Sequence, residues 1–275
     1  MGLRSIAAAG LAATLAVTGL TRCIATAEPM RVSQGLQSLE MPVPRGPATP
    51  VEPVLAAQVP PAALELPELP EPEPGGRVVY AGPSAPDMVA LTFDDGPSPT
   101  LTPRVLEVLR LHHARATFFV LGDAAERHPE ALRKIVLAGH ELGNHGFSHR
   151  SFRSLFPSEI AAELDRTADA IASVGGARPT LVRPPFGRFP ESSVALLAGR
   201  GEDLVLWTVD GGDSDHADAE RIAEAVVRAA TPGAIVLLHD REPDTLYALP
   251  AILSGLARKG LRVVTVSELL ARPGT

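Results

Sequence analysis

The stretch "ALTFDDGPSPT", residues Ala90 to Thr100, runs apolar and then ends in two adjacent carboxylates, Asp94 and Asp95, before breaking at Gly96-Pro97. Asp-Gly-Pro is ordinary turn chemistry, and strand ends are often polar. Two neighbouring acids also repel each other, so the pair calls for a positive charge from elsewhere in the fold.

Working outward from this stretch, short runs rich in Val, Leu and Phe recur from Met88 onward. The expected strands are Met88 to Phe93, Ala116 to Leu121, His140 to Leu142, Leu181 to Arg183, Leu204 to Val209, Ala234 to His239 and Arg262 to Thr265. Helix signals separate most of them. Thr102-Pro103 supplies a cap and first position, and Gly139 closes Pro129 to Ala138. Ser158 to Ser173 and Asp218 to Ala230 are helical in pattern, and Gly260 closes Thr245 to Lys259. Near-continuous apolar strands alternating with helices predict an α/β fold with a parallel sheet buried on both faces. Pattern alone leaves a closed barrel and an open doubly wound sheet both possible. In either, Asp94-Asp95, Arg183, Asp210 to Asp213 and His239 fall at the C-terminal strand ends, where such folds place their active face.

The chain has 275 residues, a formal charge of −7 and no block of Lys or Arg. That balance argues against a nucleic-acid partner. Arg4, an apolar run from Ile6 to Leu20 and the small-x-small pattern Ala25-Thr26-Ala27 predict a signal peptide over residues 1–27 and an exported protein. An uncleaved anchor, the one route to membrane contact, is the weaker reading because the run is short of the roughly 20 residues that span a bilayer. Arg22 before Cys23 disfavours a lipid attachment site. Cleavage after Ala27 removes Arg4, Arg22 and Cys23, so the formal charge falls by two to −9 and no thiol remains. Any metal is then held by His and carboxylate.

Residues 28–86 carry fourteen of the twenty-seven prolines, including "ELPELPEPEPGG". The expectation is a disordered Pro-rich linker, a spacer that buries too little surface to offset its ordering entropy. Residues 87–275 then form the folded domain, expected to be a monomer.

"GNHGFSHRS" sets His145 and His149 four apart, a spacing that recurs in zinc sites but that a solvated or core pair would also give. With Asp95, the two imidazoles could hold a divalent ion and leave positions open for water and substrate. Such an ion would supply the missing positive charge, with Asp95 a ligand and Asp94 free to take a proton from water. "LVRPPFGRF" places Arg183 at a strand end, where its guanidinium could grip a carboxylate bidentately. "VLWTVDGGDSD" contributes Asp210 and Asp213, and "AIVLLHD" ends at His239, a raised-pKa general acid if a carboxylate lies near. His112, His113, His128, His140 and His216 take the structural or solvated reading. Trp207 reads as core.

Together, "TFDDGP", "HGFSH", "RPPF", "DGGD" and "LLH", in this order, resemble the five motifs of the polysaccharide deacetylases, the NodB-homology or carbohydrate esterase family 4 domain. The resemblance spans roughly Met88 to Leu270 and takes in connecting text such as "ATFFVLG" and "GHELGNH". It implies a distorted (β/α)7 barrel and metal-dependent removal of N-acetyl groups from a polymeric glycan, with zinc the usual metal. Which glycan is attacked the sequence leaves open, among peptidoglycan, chitin-like oligomers and exopolysaccharides. By motif position Asp94 would be the base, Asp95, His145 and His149 the metal ligands, and His239 the general acid. Arg183 would hold Asp94 and Asp213 would orient His239, with Leu237 at the acetyl methyl and Phe186 against substrate. Two positions depart from the family: Ser214 stands where tryptophan is common, so one wall of the acetyl pocket must come from elsewhere or be open, and Gly146 stands where Ser or Thr is common. An O-acetyl esterase acting on acetylated xylan would use the same residues. A catalytically inactive glycan-binding module is the alternative from outside the enzymes.

Overall fold

The computed structural model describes residues 76–84, 87–215 and 217–271. The expected signal peptide, most of the expected linker, and His216 lie outside the described residues.

The elements follow in chain order. β1 (Val78–Val79), β2 (Met88–Asp94), α1 (Thr102–Leu111), β3 (Thr117–Val120), α2 (Gly122–Arg127), α3 (Pro129–Leu137) and β4 (Glu141–Asn144) form the first half. α4 (Pro157–Ser173), β5 (Leu181–Val182), α5 (Ser192–Ala198), β6 (Asp203–Val205) and β7 (Val209–Asp210) come next. α6 (Ala219–Ala229), β8 (Ile235–His239), α7 (Pro243–Arg258), β9 (Arg262–Val264) and α8 (Val266–Leu270) complete the domain.

The strands pair in parallel in the order β1-β6-β5-β4-β3-β2-β8-β7, with β9 joining the first half of β2. β6 and β7 lie towards opposite ends of that order, yet only Leu206 to Thr208 separate them in the chain. This three-residue crossing curls the sheet back on itself, giving the distorted (β/α) barrel that the family resemblance implies and that strand–helix alternation alone left open against a doubly wound sheet. The expected single strand Leu204 to Val209 is thereby split: one end pairs with β5 and the other with β8.

Alternation along each strand sorts the side chains. Val89, Leu91 and Phe93 of β2 join Phe118, Val120, Val236, Leu238 and the apolar faces of α1, α3, α6 and α7 in the larger core. Ala90 faces the other way, with Phe119, Leu181, Val205 and Ile235 in a second cluster inside the barrel. Period two therefore turns Asp94 and His239, the last residues of β2 and β8, to the interior side of the barrel mouth. α1 buries Thr102, Val105, Leu106 and Leu109 at helical spacing. Gly139 and Gly260, at φ 73° and 75°, end α3 and α7 where a side chain would be strained.

The linker boundary at residue 86 needs correction. Val78 and Val79 pair with Leu204 and Val205, Gly76 N–H bonds Glu202 O at 2.8 Å, and Ala81 bridges Ala234. Arg77 also forms an ion pair with Asp203 at 2.6 Å. The folded unit thus begins by Gly76, and a two-residue strand between prolines has too little period to stand out in the sequence. α2, α5 and α8 were likewise not expected, because five to seven residues show less than two turns of pattern. Among the described residues no helix is long and apolar enough to cross a membrane.

Candidate active site

β2, β4, β5 and β8 deliver the charged residues to one mouth of the barrel. Asp94 ends β2, His145 follows β4, Arg183 follows β5 and His239 ends β8.

Asp95, His145 and His149 come together, with one ligand atom from each within 4.8 Å of the others. Asp95 Oδ1 is 3.5 Å from His145 Nε2 and 3.3 Å from His149 Nε2. The edge of a tetrahedron with metal bonds of about 2.0–2.1 Å is roughly 3.4 Å, so these separations suit one small ion. His145 Nδ1 lies 2.7 Å from Arg183 O. A carbonyl accepts only, so Nδ1 carries the hydrogen and Nε2 presents its lone pair to Asp95. Asp95 Oδ1 is buried and carries no hydrogen bond among the described residues. Three electron-rich atoms facing one another with no proton between them fit a cation, and the donor set of two imidazoles and a carboxylate fits a divalent one. Asp95 and His149 also sit at φ 72° and 59°, left-handed conformations that non-glycine residues adopt at a cost. Burial pushes the His149 imidazole below its ordinary value, against the pull of Asp95, which favours the neutral ligand form.

Arg183 is fully buried and bridges the barrel interior. Nη1 donates to Asp94 Oδ1 and Thr92 Oγ1, both at 2.7 Å, while Nη2 and Nε donate to Leu206 O and Val205 O at 3.1 and 3.3 Å. The expected bidentate grip is therefore a single bond, because the rest of the fork holds the crossing between β6 and β7. The guanidinium also lies 4.1 Å from the Phe119 ring centroid. Asp94 Oδ2 is left free of Arg183 and lies 3.7 Å from His145 Nε2.

His239 donates from Nδ1 to Asp213 Oδ1 at 2.9 Å. Asp213 Oδ2 accepts from the His239 backbone N–H at 2.7 Å and from the Thr245 hydroxyl. Burial works to lower the His239 pKa, but the Asp213 hydrogen bond and charge, with Asp94 and Asp95 behind them, raise it to about 9. Asp213 is itself buried, which works to raise its pKa, yet its bonds to His239 and Thr245 hold it below the ordinary value.

Leu237 is buried on β8 two residues before His239 and so on the same strand face. Phe186 is exposed, at φ 61°, with its ring centroid 4.5 Å from that of His149. Asp210 stays apart from the cluster and accepts Gly212 N–H at 2.9 Å. Ser214 is exposed in the turn Asp213–Asp215. Trp207 is half-buried and lies 5.6 Å from the Arg183 guanidinium. His140 is structural: its Nδ1 accepts Ala116 N–H at 3.2 Å, and burial, with Arg115 nearby, lowers its pKa to about 4.

Sequence reasoning missed Asp240, although it directly follows His239. It is buried, bonds the Thr102 hydroxyl and leaves Oδ1 unpartnered beneath Gly96. Thr92 and Thr245, which complete the bonding of Arg183 and Asp213, were missed too, since nothing local distinguishes a threonine that pairs across the fold.

Residues 81–205 match the family model described as polysaccharide deacetylase. The chain is 37% identical over 203 residues to a peptidoglycan-N-acetylglucosamine deacetylase of Bacillus cereus, covering 72% of this chain and 95% of that protein. It is 37% identical over 182 residues to the peptidoglycan-N-acetylmuramic acid deacetylase PdaC of Bacillus subtilis, covering 66% of this chain but only 38% of the length of PdaC. A CE4 family pseudoenzyme from Bacillus anthracis has a crystal structure matching with a TM-score of 0.69 at 30% identity, over 72% of this chain and 70% of that one. The five motifs, the curled parallel sheet and these matches place the chain in the polysaccharide deacetylase family.

Proposed function

We propose that this chain hydrolyses N-acetyl groups of a cell-wall glycan, releasing acetate, with N-acetylated peptidoglycan as the substrate class. The observation that carries the proposal is the pair of dyads, buried Asp94 with Arg183 and half-buried His239 with Asp213, at the same barrel mouth as the Asp95–His145–His149 cluster.

Asp95, His145 and His149 would hold the metal, with zinc the first choice for two imidazoles and a carboxylate. Bound there, it would polarise the acetamide carbonyl and make a water acidic at neutral pH. Asp94 acts as the base: Arg183 occupies Oδ1 and balances its charge, and Oδ2 takes a proton from the attacking water. The water oxygen bonds to the carbonyl carbon and the C–N bond breaks. The nitrogen can leave only after gaining a proton, which His239 gives from Nε2 because Asp213 occupies Nδ1. The products are acetate and a free amine on the glycan. Leu237 and Phe186 would border the acetyl group and the sugar.

Relatives named for peptidoglycan support action outside the cytoplasm and thus the signal-peptide reading of residues 1–27.

The full chain should release acetate from peptidoglycan or chitin oligomers, lose that activity with chelator and regain it with zinc. Release from acetylated xylan alone would replace this reading with the esterase. Zinc binding without release from any of the three would put the chain with the pseudoenzymes, whose fold it equally shares.

A further inference from the structure

We propose that Glu163, on α4, is a positioning residue that holds the loop between the two histidines in the shape that receives the metal. The inference rests on the metal site assigned above.

Glu163 belongs to none of the five motifs. Its Oε2 accepts Phe147 N–H at 2.8 Å and Ser148 N–H at 2.7 Å, and its Oε1 accepts the Ser148 hydroxyl at 2.8 Å. One carboxylate thus takes three hydrogen bonds from the residues joining His145 to His149, and bonds to an ionised acceptor are roughly twice as strong as neutral ones. The loop needs such a restraint. Gly146 is at φ 76° and His149 at φ 59°, so the turn holds a non-glycine residue in a conformation that costs on the order of 1 kcal/mol or more.

The two histidines are fixed differently. His145 is buried, and Arg183 O holds its ring. No hydrogen bond among the described residues reaches the His149 ring, whose centroid lies 4.5 Å from that of Phe186. Its place beside Asp95 is therefore set by its backbone, and the N–H immediately before it belongs to Ser148, which Glu163 holds. α4 grips the side chain of the same loop as well: Arg166 Cζ lies 3.4 Å from the Phe147 ring centroid. From α2, the Gly122 and Asp123 N–H groups hold the Gly146 and Phe147 carbonyls, both at 3.0 Å. A Cβ on Gly122 would stand 2.3 Å from the Phe147 ring, so the loop packs directly on the backbone of α2 there.

Zinc titration of the full chain, in competition with a chromophoric chelator, tests the assignment, with melting temperatures of the metal-free and zinc-saturated forms measured in parallel. Glu163→Gln should weaken zinc binding about 10–100-fold and shrink the zinc-induced rise in melting temperature. The visible spectrum of its cobalt-substituted form should differ from that of the wild type. Asp169→Asn, an exposed site on the same helix, should change none of these. A purely structural role would lower both melting temperatures equally and leave zinc affinity within about twofold of wild type, overturning the proposal. Should Glu163→Gln fail to fold, Ser148→Ala decides: it removes one of the three bonds and should weaken zinc about threefold, and unchanged affinity would overturn the proposal. A wild-type chain that binds neither zinc nor cobalt would overturn the metal site itself and this inference with it, whereas equal binding by wild type and Glu163→Gln overturns the inference alone.

Discussion

Arg183 reaches across the barrel interior to Asp94, its Nη1 2.7 Å from Oδ1, with the guanidinium fully buried and Asp94 3% exposed. Burial disfavours the charge on Arg183 and Asp94 supports it, so neither group is tolerable without the other. Arg183→Met leaves an uncompensated buried carboxylate and frees two carbonyls at the β6–β7 crossing. We expect a loss of about 3–5 kcal/mol in denaturant unfolding. An unfolding midpoint equal to the wild type would show that the bridge is not what holds the crossing.

Asp94→Asn keeps the shape of that bridge and removes the proton acceptor. Turnover should fall by roughly a hundredfold or more while zinc content stays at one ion per chain. Near-wild-type acetate release would remove Asp94 from the role of base.

At the proposed metal site, a change at Asp95 should separate metal binding from folding. Asparagine tolerates its φ of 72° better than alanine does, so Asp95→Asn relieves the repulsion with Asp94 at little backbone cost. The metal-free variant should be as stable as wild type or slightly more so, yet bind zinc more than about a hundredfold more weakly, because one of the three proposed ligands would have lost its charge. Unimpaired zinc uptake by dialysis and metal analysis would refute Asp95 as a ligand.

His239 has its pKa raised to about 9 by Asp213, with Asp94 and Asp95 adding to it, against the effect of burial. The folded state holds this proton more tightly than the unfolded one, so the resulting stability is present in full below about 6.5 and is lost as pH rises through about 9. A dication held by Asp95, His145 and His149 would offset the share from Asp94 and Asp95, so the alkaline limb of kcat/KM should fall between those values. Asp213→Asn should move that limb to lower pH and cost more stability at pH 6 than at pH 10. An unmoved limb would mean that another group supplies the proton.

The alternation of apolar strands with helices was legible because buried parallel strands and amphipathic helices write their periods locally. β1 and the split between β6 and β7 were not, since two or three residues carry no period and their pairing is decided by partners more than a hundred residues away in the case of β1. The charged residues of the site stood out at strand ends, where a polar side chain after an apolar run has no core to enter. Their supports did not. Glu163 sits in a regular amphipathic stretch, Thr92 and Thr245 resemble any strand or helix threonine, and nothing near Arg183 in sequence marks the Val205 and Leu206 carbonyls that share its fork and leave one bond for Asp94.

Asp240 is 1% exposed, and its partner is the Thr102 hydroxyl. Burial pushes its pKa up to about 7; Asp95 and Asp94 push the same way, against the Thr102 bond and Arg241. The folded chain binds this proton more tightly than the unfolded chain, whose carboxyl ionises near 4, so the acid becomes increasingly destabilising as pH rises from about 4 to about 7 and stays so above. Asp240→Asn keeps the shape and removes the ionisation. Relative to wild type, the variant should gain on the order of 4 kcal/mol between pH 4 and pH 8, read from chemical denaturation at the two values. The space is tight, as a Cβ on Gly96 would lie 2.2 Å from Oδ1, so Gly96→Ala should displace Asp240 and destabilise at every pH. A stability difference between Asp240→Asn and wild type that does not change with pH would mean that Asp240 ionises as freely in the folded chain as in the unfolded one.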